Sequence, residues 1–162
     1  MNWHEFFLRH VYLAATKSKD KRTKIGAVLV RDKNIIATGY NGFARGVLDS
    51  DERYDNRELK HDFICHAEFN SIVTAARLGV CTDKSTLYSQ GIPCAACAKA
   101  IIQGGVTKIV IHKQWPNLIH DKKWIDSIEL SNTMFEEANI IIENFDKVLG
   151  VVGFLDGKEI NV

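Results

Sequence analysis

The sequence predicts an α/β protein: a five-stranded mixed sheet with helices on both faces, a three-layer α/β/α arrangement. Three observations predict it. Short β-branched runs alternate along the chain with longer stretches of helical period. The first two runs are separated only by turn residues, so they pair as a hairpin. The later runs are separated by helices, and such βαβ steps make parallel neighbours.

Taken in order, Asn2 to Ser18 places apolar residues at Phe6, Phe7, Val11, Leu13 and Ala14, a helical spacing. Ile25 to Val30 is a short apolar strand. Asp32-Lys33-Asn34 is turn chemistry, and Ile35 to Tyr40 is the hairpin partner. Asn41 to Asp62 shows no period and reads as one polar, charged loop, long enough in a compact domain to mark function or mobility. His66 to Leu78 is a helix stopped by Gly79. Ser85 to Ser89 is a strand, Cys94 to Gln103 a helix closed by Gly104-Gly105, and Val106 to His112 a β-branched strand. A loop from Lys113 to Lys123 follows, carrying Trp115 and His120, with aromatic anchoring as the favoured reading. Asp121 to Asn139 is a long amphipathic helix, and Ile140 to Ile142 completes the five strands. The tail reads as a hairpin around Asp156-Gly157, added at about 145–162 to a single domain spanning 1–162.

Length, at 162 residues, fits one domain with a substantial core. A net charge of +1 supplies no global field for nucleic acid or an anionic membrane, which favours a small-molecule substrate. No signal-peptide pattern opens the chain and no stretch reaches the length of a membrane span, so a cytoplasmic location is expected. In that compartment Cys65, Cys81, Cys94 and Cys97 stay reduced, and a close cysteine pair reads as a metal site. Cys65 and Cys81 are expected to pack as small hydrophobes.

The chemistry concentrates in His66-Ala67-Glu68 and, twenty-four residues on, Pro93-Cys94-Ala95-Ala96-Cys97. One imidazole and two thiolates suit tetrahedral zinc, one ion per chain. A three-ligand set leaves a corner open for water, which is the catalytic arrangement. Both groups fall at helix N-termini, where the positive end of the helix dipole favours thiolate over thiol. Cys94 and Cys97 share one face of the first turn. Pro93 sits where a missing N–H costs nothing. Glu68 is not needed as a ligand and is placed to shuttle the proton of a metal-activated water. A structural zinc knuckle is the bland alternative, but it requires a fourth protein ligand.

The pattern H-x-E…P-C-x-x-C resembles that of the cytidine deaminase superfamily. The likeness runs from about Phe7 to Ile142. Lys24 to Val30, Gly39-Tyr40-Asn41-Gly42, the charged loop, and Asn70 after Cys65-His66-Ala67-Glu68 look most like deoxycytidylate (dCMP) deaminases. The resemblance implies a cytidine-deaminase-like fold and hydrolysis of dCMP to dUMP and ammonia, with metal-bound hydroxide as nucleophile and Glu68 as proton shuttle. It implies that Asn41 approaches the sugar and that Ala67 offers its backbone N–H to the base carbonyl. A phosphate dianion needs charge-assisted donors, and Lys24, Arg53 and Arg57 are the candidates. The resemblance further implies a homo-oligomer, a hexamer, with dCTP and dTTP as effectors at Gly39, Tyr40, Asn41 and Gly42. Here Phe43 to Val47 departs from the usual proline-containing continuation, and Gln90-Gly91-Ile92, which line the approach to the metal in relatives, are also unusual.

Other readings remain open at this point. A tRNA adenosine deaminase uses the same metal site, and Lys17, Lys19, Lys21, Arg22 and Lys24 form a basic cluster. A guanine-type or pterin-type deaminase shares the fold. A non-enzymatic zinc-binding module is the alternative outside the enzymes, though such relatives typically lose the acid that is retained here as Glu68.

Overall fold

In the computed structural model, residues 1–116 and 122–162 are described. Helix α1 (Trp3–Ala15) opens with a reciprocal cap: Asn2 accepts the Glu5 N–H at 2.8 Å and the Glu5 carboxylate accepts the Asn2 N–H at 3.0 Å. Strands β1 (Gly26–Arg31) and β2 (Asn34–Tyr40) form a hairpin. Its two-residue turn places Asp32 (φ 51°) and Lys33 (φ 61°) in the left-handed region, as the hand of a tight hairpin requires.

Next comes an insertion. A two-residue strand β3 (Gly42–Phe43) pairs with β4 (Ile64–Cys65), and helices α2 (Asp51–Asp55) and α3 (Arg57–Phe63) lie between them. The remaining core elements are α4 (Ala67–Arg77), β5 (Thr86–Ser89), α5 (Ala95–Gln103), β6 (Lys108–His112), α6 (Lys122–Glu137) and β7 (Ile141–Phe145). The tail forms a hairpin of β8 (Val152–Leu155) and β9 (Lys158–Asn161).

The large sheet has the order β2-β1-β5-β6-β7. Strand β1 is antiparallel to both β2 and β5, while β5, β6 and β7 run parallel. The two-residue period of β1 divides its side chains between two cores. Val28 and Val30, with Tyr88 and Val110, pack beneath Phe7, Leu8 and Val11 of α1. Ala27 and Leu29, with Leu87, Ile109 and Ile111, pack beneath α4, α5 and Phe135 of α6. Helices therefore cover both faces, giving the expected mixed five-stranded α/β/α architecture.

Two glycines set how closely the helices approach. A Cβ on Gly26 would stand 2.0 Å from the Val11 carbonyl oxygen in α1, and one on Gly39 would stand 2.1 Å from that of Ala67 in α4. Only a hydrogen fits at either point, so the backbone of α4, with Glu68 on its first turn, lies directly on β2.

Several boundaries differ from the sequence reading. The expected single loop over 41–62 holds α2, α3 and part of a strand ribbon. Its helices are too short for periodicity to register, but their caps are legible. Ser50 accepts the Arg53 N–H, and Asn56 accepts those of Glu58 and Leu59. Strand β7 extends to Phe145, because polar Glu143 and Asn144 are tolerated on a sheet edge. Helix α6 ends at Glu137, with Asn139 (φ 55°) adopting the left-handed conformation just beyond it. His120, and Asp121 as the expected start of α6, lie outside the described residues. Trp115 is buried and packs on Tyr12 with a ring separation of 5.9 Å. It anchors the segment after β6. Cys65 is half-buried, whereas Cys81 is exposed, contrary to its reading as a packed hydrophobe. No helix among the described residues is long and apolar enough to cross a membrane.

Candidate active site

His66 is the N-cap of α4 and Cys94 the N-cap of α5, with Cys97 on the first turn of α5. Helices α4 and α5 pack on the same face of the sheet, and this brings their two starts together. There the His66 Nδ1 lies 3.3 Å from the Cys94 Sγ and 3.6 Å from the Cys97 Sγ. One ligand atom from each of the three residues lies within 4.8 Å of the others. This borderline-soft N/S donor set fits zinc, and both thiols are buried. Among the described residues no fourth His, Cys, Asp or Glu joins the group.

Glu68 is 7% exposed. Its Oε1 accepts the Ser89 hydroxyl at 3.0 Å, and its Oε2 lies 3.7 Å from the Cys97 Sγ. The carboxylate is thus held from the far side and aimed at the ligand cluster. Burial raises its pKa, opposed by the nearby His66. The Cys97 side chain hydrogen-bonds the Cys94 sulfur and, with help from His66, holds the Cys94 thiol well below the usual thiol range. Cys97 correspondingly keeps its proton, its pKa raised chiefly by that same bond. The His66 imidazole is raised by its bond to Cys94.

The structure distributes the other expected site residues unevenly. Ala67 is the first residue of α4, where a backbone N–H has no intrahelical acceptor. Asn41 is buried, and its amide ties neighbouring backbone together: Oδ1 accepts the Ile25 N–H at 2.8 Å and Nδ2 donates to the Thr23 carbonyl at 2.9 Å. Gly39 and Gly42 are buried, Gly42 pairing with Cys65, while Tyr40 is exposed and its carbonyl accepts Asn70 Nδ2 at 2.8 Å. The Lys24 ammonium sits 5.3 Å above the Phe154 ring of the tail hairpin. Within the insertion, Arg53 stacks 4.5 Å over the Phe63 ring and donates to the Leu48 carbonyl at 2.9 Å. Arg57 opens α3 at the exposed surface.

Sequence reasoning missed two contributors, Ser89 and Trp124, and left the packing of Gln90 unread. Ser89 ends β5 as an ordinary strand residue, and only the sheet register aims its hydroxyl at Glu68. Gln90, just before the Pro93-Cys94 turn, is fully buried, and its amide accepts the Gly26 N–H at 2.6 Å and donates to the Lys24 carbonyl at 3.3 Å. Trp124 of α6 lies 5.8 Å from the His66 ring. The apolar period of α6 was legible, but not which residue would face the ligands.

With this geometry established, comparison with known proteins is direct. Residues 1–113 match the model of the cytidine and deoxycytidylate deaminase zinc-binding region. An uncharacterized deaminase in the luxG 3′ region of Aliivibrio fischeri is 34% identical over 138 residues, covering 85% of this chain and 90% of its own length. Human deoxycytidylate deaminase is 30% identical over 151 residues, covering 90% of this chain and 80% of its own. The crystal structure of a cyanophage S-TIM5 dCMP deaminase in complex with dCMP and dUMP superposes with a TM-score of 0.67 at 26% identity. It covers 87% of this chain and 95% of that one. Sequence and fold agree: the chain belongs to the zinc-dependent cytidine and deoxycytidylate deaminase family.

Proposed function

We propose that this chain hydrolyses dCMP to dUMP and ammonia. The observation that carries the reading is the convergence of His66, Cys94 and Cys97 beside a buried carboxylate with one oxygen already restrained. Relatives that act on deoxycytidylate, and a structural neighbour holding dCMP and dUMP, support the choice of nucleotide. Zinc held by His66, Cys94 and Cys97 supplies Lewis acidity that lowers the pKa of water towards neutral.

The chain's own residues do the rest. Ser89 fixes Oε1 of Glu68, which leaves Oε2 to accept a proton on the side of the ligand cluster. Glu68 gives that proton to the ring nitrogen, then takes a second from the hydroxyl added to the base as it becomes the carbonyl, and delivers it to the departing amine. Ala67 offers its unsatisfied N–H to the base carbonyl. Asn41, anchored to the backbone before β1, borders the sugar, and Lys24, Arg53 and Arg57 are the candidates for the phosphate.

The paired charges of the N-terminal basic cluster favour a mononucleotide over tRNA. Lys19 meets Asp49 at 2.7 Å, Lys21 meets Asp51 and Asp55 at 2.9 Å, and Arg22 meets Asp156 at 2.6 Å. A phosphate backbone would have to displace each acid.

We read residues 1–162 as one catalytic domain acting in the cytoplasm, where Cys94 and Cys97 stay reduced for metal. It acts as a homo-oligomer, a hexamer, for which the exposed apolar residues Tyr40, Phe63, Phe69 and Val73 offer contact surface. Gly39, Tyr40, Asn41 and Gly42 form the candidate loop for dCTP and dTTP.

Ammonia release by the zinc-loaded chain from dCMP, CMP, dCTP and tRNA tests the reading. Turnover of dCMP above the others is expected. A zinc-loaded sample inert on every cytosine nucleotide rejects it in favour of a binding module.

A further inference from the structure

Helix α5 begins at a metal ligand, and this leaves it without a cap of its own. The N-cap residue of a helix ordinarily turns a side-chain acceptor onto the orphan N–H groups of the first turn. Cys94 occupies that position with no side-chain capping bond of ordinary geometry, and its sulfur faces His66 at 3.3 Å. The N–H of the first helical residue finds its acceptor on another helix. Ser127 of α6 accepts the Ala95 N–H at 3.0 Å, in a partly buried contact.

Ala95 shares its peptide bond with Cys94. Fixing the Ala95 N–H therefore fixes the peptide plane from which the Cys94 side chain projects, and with it the position of the sulfur. One turn earlier on the same face of α6, Trp124 packs its ring 5.8 Å from that of His66, inclined at 56°. Two residues of one helix thus reach both halves of the ligand set, Trp124 against His66 itself and Ser127 on the residue next to Cys94.

We propose that Ser127 is a positioning residue of the zinc site, a cap supplied from α6 that holds the Cys94 thiolate in register with His66 and Cys97. The inference rests on zinc binding by those three residues. Partners one shell removed from a metal typically contribute roughly 10- to 100-fold to its affinity. An α6 that carries such a partner is part of the metal centre as well as part of the core.

The test is zinc affinity of the full-length chain, measured by competition with a chromogenic chelator. Ser127→Ala is expected to bind zinc roughly 10- to 100-fold more weakly than wild type. Ser127→Thr, which keeps the hydroxyl, is expected to restore it. Ser131→Ala serves as the control: that buried hydroxyl bonds the Ile128 carbonyl within α6 at 2.8 Å, so its loss loosens the helix without touching Ala95. Unchanged affinity in Ser127→Ala would overturn the proposal, as would equal weakening in both alanine variants. Wild-type protein that fails to bind zinc would overturn the metal reading itself, and that result is seen before any variant is compared.

Discussion

Ser89 donates its hydroxyl to Glu68 Oε1 at 3.0 Å, joining the end of β5 to the first turn of α4 beneath the ligand cluster. Both residues are buried, so the bond forms away from competing water. It commits one carboxylate oxygen and leaves the other, Oε2, as the one able to move a proton.

Glu68→Gln is expected to keep the fold and zinc while losing roughly 100- to 10,000-fold in kcat. Ser89→Ala should give a smaller loss of the same kind, since the carboxylate remains but swings more freely. Ammonia release and zinc content, measured on the same samples, check both. A Glu68→Gln enzyme within tenfold of wild type would remove Glu68 from the reaction.

Stripping zinc with a chelator should lower Tm as well as abolish turnover, because metal that binds only the folded chain stabilises it. Cys94→Ala should already show the lower Tm and no longer respond to added zinc. Thermal melts with and without metal decide this.

Gly39→Ala tests whether close backbone contact positions the catalytic helix. Its new methyl would stand 2.1 Å from the Ala67 carbonyl oxygen, so α4 must move. Such overpacking typically costs about 1–3 kcal/mol, and occasionally more. Denaturant unfolding gives the loss in stability, and a fall in activity beyond the loss of folded protein would show that Glu68 moved with the helix.

The insertion is joined to the core by a buried ion pair. Lys60 Nζ in α3 lies 3.1 Å from Asp20, and the two side chains are 10% and 4% exposed. Asp20 also accepts the Arg22 N–H at 2.8 Å. Lys60→Met would leave this carboxylate without its cation, an effect of about 3–5 kcal/mol. Chemical denaturation of the variant checks the magnitude, and limited proteolysis within 44–63 shows where it acts.

His112 should make stability depend on pH. Its Nδ1 accepts the Tyr12 hydroxyl at 2.7 Å and its Nε2–H donates to the Lys147 carbonyl at 2.8 Å, the arrangement of a neutral ring. Burial holds its pKa below the ordinary 6.5, partly offset by the Lys147 bond and by Asp146. The unfolded chain therefore takes up this proton first. The contribution is complete above about pH 6.5 and is lost as pH falls through the folded pKa. Between wild type and His112→Asn, the difference in Tm should shrink across that acid range; a constant difference would show that His112 does not titrate in this way.

The helix–strand alternation, the ligand set and the acid were legible because they depend on residues close together in the chain. Glu68 follows His66 by two positions and Cys97 follows Cys94 by three, so each group is placed by the first turn of its own helix. The hairpin of the first two strands and the parallel pairing of the last three likewise follow from a tight turn and from the helices between them. Residues 41–62 were misread because five- and seven-residue helices are held by caps and by partners distant in sequence, such as Asp20 for Lys60. By itself, then, the sequence determined which metal chemistry this protein performs and on which helix starts. Only the tertiary structure decided that Ser89 would restrain Glu68, that Trp124 would face His66, and that Ser127 would accept the Ala95 N–H at the start of α5. Those contacts depend on sheet register and helix packing, which no local pattern encodes.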